Sequence, residues 1–297
     1  MVSITPRGWL PLTPEEKDNM SFRQKLENII KKNNSLLCIG LDTDLEKIPK
    51  HILSEKDPIF TFNKVVIDNT VDLVCSYKPN IAFYEAFGID GLTQLKKTIE
   101  YLKKSYPDIP IVLDAKRGDI ANTAKMYAKA VFEYWSADAV TVSPYLGYDS
   151  IEPFLSWEDK GVIILCRTSN PDAKDLQDTE VPIENITQPL YVKVAKKVVE
   201  WNKKYQNCLM VVGATSSQQL KEVRKIAPEM FFLVPGIGTQ GGDLQKTLKY
   251  GLTENRSGLI IHSSSAIIYA SSKKDFAQKA REAAIALKDQ INKERYL

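Results

Sequence analysis

Eight short apolar or β-branched runs recur along the 297-residue chain: Leu36 to Leu41, Leu73 to Tyr77, Ile111 to Leu113, Ala139 to Val142, Val162 to Cys166, Leu209 to Val212, Phe231 to Val234 and Leu259 to Ile261. Long segments of helical periodicity separate them, and each run ends in a polar or glycine residue. Between Ala124 and Trp135, for example, Ala124, Ala128, Val131, Phe132 and Trp135 fall on one helix face. Such alternation implies a parallel sheet, because each helical crossover carries the chain back to the edge where the preceding strand began. Eight strands in roughly 250 residues predict an α/β fold of the closed (β/α)8 kind, a TIM barrel, rather than a doubly wound sheet. No Gly-x-Gly-x-x-Gly opens a helix after the first run, which weighs against a dinucleotide fold.

With 43% hydrophobic and 26% charged residues the chain can bury a full core in one domain. Its 40 basic and 37 acidic residues leave a net charge of +3 and form no concentrated basic block, so a nucleic-acid partner is not expected. No stretch of about 18 uninterrupted apolar residues or secretory leader occurs, which predicts a cytoplasmic protein without a membrane partner. Cys38, Cys75, Cys166 and Cys208 show no metal-ligand spacing; three lie inside strand-like runs, so all read as reduced core residues. The two histidines, His51 and His262, are too few for a triad or a histidine-rich metal site, and both read as structural or solvated. Pro6, Pro11 and Pro14 make residues 1–20 an irregular arm ahead of a single barrel domain over residues 21–297. Thr13-x-x-Glu16 and Ser21-x-x-Gln24 each carry the capping-box pattern of a helix start.

Barrel enzymes place their chemistry at the carboxyl ends of the strands. The residues there are Asp42 after the first run, Lys78 after the second, and the alternating charges Asp114-Ala115-Lys116-Arg117-Gly118-Asp119 directly behind the third. Thr168 and Ser169 follow the fifth, and Pro235-Gly236-Ile237-Gly238-Thr239-Gln240-Gly241-Gly242 follows the seventh. Burying an unpaired ion is costly, so such a cluster is tolerated when its members pair with one another or with a ligand. Two lysines among two or three carboxylates can form an alternating network in which each charge keeps its neighbour ionised. A fixed lysine cation suits protonation of a carbanion, and an adjacent carboxylate disfavours a second negative charge; together they point to decarboxylation. The glycine-rich turn offers backbone N–H groups to an anion, which suggests a phosphorylated ligand. The polar connection from Arg167 to Pro189 is a candidate mobile loop over the site.

These residues carry a resemblance. The segments DAKRGDIANT (Asp114 to Thr123), CIGLD (Cys38 to Asp42), YKPNIAFYE (Tyr77 to Glu85), RTSNP (Arg167 to Pro171), VVGAT (Val211 to Thr215) and VPGIGTQGGD (Val234 to Asp243) resemble the orotidine 5'-phosphate decarboxylases. More narrowly they are similar to the longer bacterial form, often called type 2, from about Ser21 to the last helix. The resemblance implies conversion of orotidine 5'-monophosphate to uridine 5'-monophosphate without metal, flavin or pyridoxal. Lys116 would protonate C6 of the pyrimidine, Asp114 would lie against the departing carboxylate, and Lys78 would bridge the ribose and Asp114. Asp42 would bind ribose hydroxyls, Ser169 and Gln240 would reach the pyrimidine and the phosphate end, and Ile120, Pro235 and Gly238 would complete the substrate contacts. Asp119 and Thr123 would be contributed across a dimer interface, which implies a homodimer with shared sites. The family pattern Asn-Ser-Ser-Arg in the last strand is replaced by His262-Ser263-Ser264-Ser265, so Ser265 stands where a phosphate-gripping arginine is expected. Arg256 is the nearby cation that could compensate. Two alternatives stay open: a nucleotide-binding homologue without catalysis, and a sugar-phosphate lyase of the same barrel superfamily.

Overall fold

In the computed structural model, which describes residues 20–183, 185–237 and 242–296, the expected alternation closes into a barrel. Gly238, Gln240 and the arm up to residue 19 lie outside the described residues. The strands are β1 (Leu37–Gly40), β2 (Ser76–Lys78), β3 (Val112–Arg117), β4 (Ala139–Val142), β5 (Gly161–Arg167), β6 (Glu180–Ile183), β7 (Ile186–Pro189), β8 (Cys208–Val212), β9 (Phe232–Val234) and β10 (Leu259–Ser263). Eight of them form one parallel sheet in the order β2-β1-β10-β9-β8-β5-β4-β3. The ring closes where β3 meets β2 and the segment after it, through parallel bridges at Tyr77–Ile111 and Asn80–Asp114. The chain enters this barrel through the helix Phe22–Asn33, whose capping box is formed as expected: Gln24 N donates to Ser21 Oγ, and Ser21 N donates to Gln24 Oε1 at 2.9 Å.

Except in β2 and the charged second half of β3, the barrel strands are apolar on both faces over most of their length, as a sheet covered by helices outside and by its own side chains inside must be. That double burial is why the strands appear as unbroken apolar runs. All four cysteines are buried and unpaired within this core. At the amino-terminal end, Asp138 is neutralised by Lys25 and Lys103 at 3.0 and 2.7 Å and accepts a bond from Ile111 N, so its charge is satisfied within the protein. No helix among the described residues is long and apolar enough to cross a membrane.

Four details differ from expectation. The run Leu73 to Tyr77 becomes a strand only at Ser76, because Val71–Leu73 is taken up by a tight 3-10 turn after the helix Pro58–Thr70. The helix begun at Ala121 runs to Lys129 and then widens into a π-helical stretch, Ala130–Tyr134, while keeping the expected apolar face buried. The connection Arg167 to Pro189 is folded, with the short helix Lys174–Gln177 and the antiparallel hairpin β6–β7. Its base is clasped by Arg167, whose Nε and Nη2 reach the two carboxylate oxygens of Asp178 at 2.8 and 3.0 Å. Finally, β3 does not stop at Leu113: Asp114 N donates to Pro79 O and Ile81 N donates to Asp114 O, which carries the strand through the charged motif to Arg117.

Candidate active site

A cavity of about 550 Å³ opens at the carboxyl ends of the strands, and the charges predicted to meet there do meet. Asp114 is the centre. Its Oδ2 lies 2.6 Å from Lys78 Nζ and its Oδ1 lies 2.7 Å from Lys116 Nζ. Thr141 Oγ1 donates to the same Oδ1 at 2.8 Å. Burial opposes charge on Lys78, but the carboxylates of Asp114 and Asp42 outweigh it and raise the lysine above its ordinary value. Burial likewise pushes the Asp114 carboxyl upward, and the two ammoniums overcome it to hold that group well below the usual carboxylate range. Lys78 and Asp114 are almost wholly buried, whereas Lys116 keeps about half of its side chain open to the cavity. The more exposed cation is therefore the one free to meet a ligand.

Lys116 is held in an unusual way. It has φ 44°, in the left-handed region that costs a non-glycine residue about 1–2 kcal/mol. β3 pairs with β4 at Leu113–Val140 and resumes at Arg117–Val142, so Asp114, Ala115 and Lys116 bulge between two close-spaced β4 residues. The bulge puts both functional side chains of the motif on the cavity side.

Strand ends around the rim supply the remaining polar groups. Asp42 follows β1 and presents Oδ1 as a buried acceptor with no partner among the described residues. Ser169 packs so closely on the end of β8 that a Cβ on Gly213 would lie 2.8 Å from its Cα, which is why that position must be glycine. Gln177, from the folded connection, accepts from Thr168 N at 2.8 Å and lines the cavity beside Asn170. Pro235, Gly236 and Ile237 form the opposite lip, with Gly236 at φ 99°.

Asp119, Ile120 and Thr123 behave differently. None of them lines the cavity of its own chain: Asp119 is half-buried and caps Ile120 N at 2.8 Å, Ile120 is 53% exposed, and Thr123 is exposed. Ser265 stands at the cavity lip as expected, opening the short turn Ser265–Ile268. Arg256 is no substitute for an arginine there. It precedes β10 at the other end of the barrel, where its guanidinium donates to Arg295 O at 2.6 Å. Among the described residues that line the cavity, the cations are Lys78 and Lys116, and both are engaged by Asp114.

Two of the cavity residues that the sequence reading did not single out stand at the charged cluster itself. Thr141 lies inside an apolar strand and reads there as packing. His262, expected to be structural or solvated, lines the cavity, with Nε2 sealed from solvent and unpartnered among the described residues. Room for its ring exists because residue 40 is glycine; a Cβ there would sit 2.5 Å from Nε2. The available signal was its departure from the Asn of the family pattern at a strand end. His51 packs against the Phe276 ring instead, with centroids 5.9 Å apart.

Burial, reinforced by Lys78, holds the His262 imidazole well below its ordinary value of 6.5, so it is neutral in the folded chain. The unfolded chain takes up this proton below pH 6.5 and the folded one does not, so the fold loses stability as pH falls from 6.5 toward the lowered value. In urea unfolding, the stability of wild type relative to His262→Asn is expected to fall by about 1 kcal/mol between pH 7.5 and 5.5. A pH-independent difference would show that the folded imidazole titrates freely.

The comparisons agree with this geometry. Residues 35–280 match the family described as orotidine 5'-phosphate decarboxylase / HUMPS. The orotidine 5'-phosphate decarboxylase of Cellvibrio japonicus is 52% identical over 276 residues, covering 92% of this chain and 98% of the relative. That of Christiangramia forsetii is 52% identical over 278 residues, 93% of this chain and 98% of its own length. The solved Leishmania donovani OMP decarboxylase superposes with a TM-score of 0.79 at 38% identity, covering 94% of this chain and all of the other. A closed barrel with Lys78, Asp114 and Lys116 joined at its carboxyl end, and relatives matched along nearly their full length, lead to one conclusion: this chain belongs to the orotidine 5'-phosphate decarboxylase / HUMPS family.

Proposed function

We propose that the protein decarboxylates orotidine 5'-monophosphate to uridine 5'-monophosphate without a cofactor, the last step of pyrimidine nucleotide synthesis, in the cytoplasm. The observation that carries this reading is the clamped Asp114 carboxylate, which is kept ionised by Lys78 and Lys116 at the cavity floor. A substrate carboxylate bound against Asp114 meets a fixed like charge, which is relieved when the C6–carboxylate bond breaks and neutral carbon dioxide leaves. The electron pair stays on C6. Lys116, cationic and open to the cavity, gives C6 its proton and is reprotonated from solvent. Asp42 receives ribose hydroxyls on its unpartnered oxygen, Lys78 bridges the ribose and Asp114, and Ser169 and Gln240 hold the pyrimidine and the phosphate end. Pro235 and Gly238 complete the substrate contacts in this reading.

The working unit in this reading is a homodimer in which Asp119, Ile120 and Thr123 enter the partner's site. Support comes from their position outside their own cavity and from the exposed apolar side chains nearby. Ile89, Ile120, Met126 and Tyr145 are 82%, 53%, 62% and 81% exposed, and they follow the adjacent strands β2, β3 and β4. The test is to incubate the purified chain with orotidine 5'-monophosphate, without added metal, and follow the loss of orotate absorbance. Saturable turnover is expected; no turnover at any substrate concentration would sink the reading and favour a binding protein.

A further inference from the structure

We infer that Thr141 is a positioning residue that sets the relative placement of Lys116 and Asp114, an assignment that rests on the decarboxylase reading. The argument begins with the ladder between β3 and β4. Paired residues run Val112–Ala139 and Leu113–Val140, and pairing is next found at Arg117–Val142. Three residues of β3 therefore face a single residue of β4, and that residue is Thr141. Ordinary ladder bonds cannot serve the bulge, and the side-chain hydroxyl takes their place: Lys116 N donates to Thr141 Oγ1 at 2.9 Å.

A hydroxyl has one proton to give. With its acceptor side turned to the Lys116 amide, Thr141 directs that proton to Asp114 Oδ1 at 2.8 Å, the same oxygen that Lys116 Nζ reaches at 2.7 Å. One buried side chain thus fixes the left-handed backbone of the proton donor and the rotation of the carboxylate against which the substrate is pressed. The two ammoniums alone would hold Asp114 ionised, yet neither restrains the Lys116 backbone. Thr141 lines the cavity and supplies no charge, so its contribution is to geometry rather than to affinity.

The test compares Thr141→Val, which keeps the shape and loses the hydroxyl, with Thr141→Ser, which keeps the hydroxyl. Thr141→Val is expected to lower kcat ~10- to 100-fold, the scale of a small misplacement of reacting groups. Its KM for orotidine 5'-monophosphate and its affinity for uridine 5'-monophosphate, read by calorimetry, should stay within about 3-fold, and Thr141→Ser should recover most of kcat. Wild-type kcat in Thr141→Val, or an equal loss in kcat and ligand affinity that Thr141→Ser does not repair, would overturn the assignment. Absence of turnover in the wild-type chain would instead remove the decarboxylase reading. A crystal structure of Thr141→Val would then still decide the positioning claim: displacement of Lys116 from Asp114 supports it, and an unchanged pair overturns it.

Discussion

Lys116→Ala is expected to abolish product formation, by at least about 10⁴-fold, the upper range of what a positioned general acid contributes. The size of the effect follows from the cavity. Lys116 is the cation with its side chain half open to the ligand, whereas Lys78 is buried and 2.6 Å from Asp114 Oδ2. Removing Lys116 leaves Asp114 with one cation and the Thr141 hydroxyl, which is enough to keep the carboxylate ionised and the cavity built. Binding of uridine 5'-monophosphate should therefore persist in calorimetry while a single-turnover assay shows no product. Turnover within 10-fold of wild type would take the proton-donor role away from this lysine.

The same variant tests the shared site. Mixed with Asp119→Ala, itself expected to be inactive, Lys116→Ala should form heterodimers in which one of two sites has every group intact. Random exchange between equal amounts of a two-fold dimer would then restore about one quarter of wild-type activity. Mixtures as inactive as their components would place Asp119 in its own barrel, contrary to its position outside that cavity.

The second large effect is a gain. Ser265→Arg is expected to raise kcat/KM for orotidine 5'-monophosphate between about 30-fold and about 5,000-fold, the range that corresponds to a charge-assisted partner worth roughly 2–5 kcal/mol. At present a serine hydroxyl at the lip can offer one neutral hydrogen bond, and Arg256 is committed to Arg295 at the far end of the barrel. The cations that line the cavity among the described residues are both paired with Asp114. The gain should vanish when the substrate is orotidine without its phosphate. An equal gain on both substrates would point to a general effect on the loop, and an unchanged rate and Michaelis constant would show that position 265 does not face the phosphate.

The barrel was legible because strands buried on both faces must be apolar throughout, and Ala139 to Val142, expected as a strand, has those same bounds in the structure. The charged residues were legible for the opposite reason: Lys78, Asp114 and Lys116 interrupt that rule. What stayed hidden depends on pairing rather than on composition. Charged residues read as the end of β3, whereas backbone bonds from Asp114 to the segment after Lys78 prolong it. Thr141 looked like one more β-branched strand residue, and its role appears only once the neighbouring strand bulges beside it. The hairpin β6–β7 is half exposed and offers no apolar run, so the polar connection carried no sign of it. The position of Asp119 outside its own cavity could not come from spacing, because spacing along the chain does not fix which way the turn beyond β3 carries its side chains.

The left-handed conformation of Lys116 sets foldability and chemistry against each other at one residue. Glycine would occupy that conformation without the strain, so selection for melting temperature alone would favour discarding the lysine. A thermostability screen on this barrel therefore carries its own trap: among its most attractive hits could be an inert enzyme with an improved scaffold.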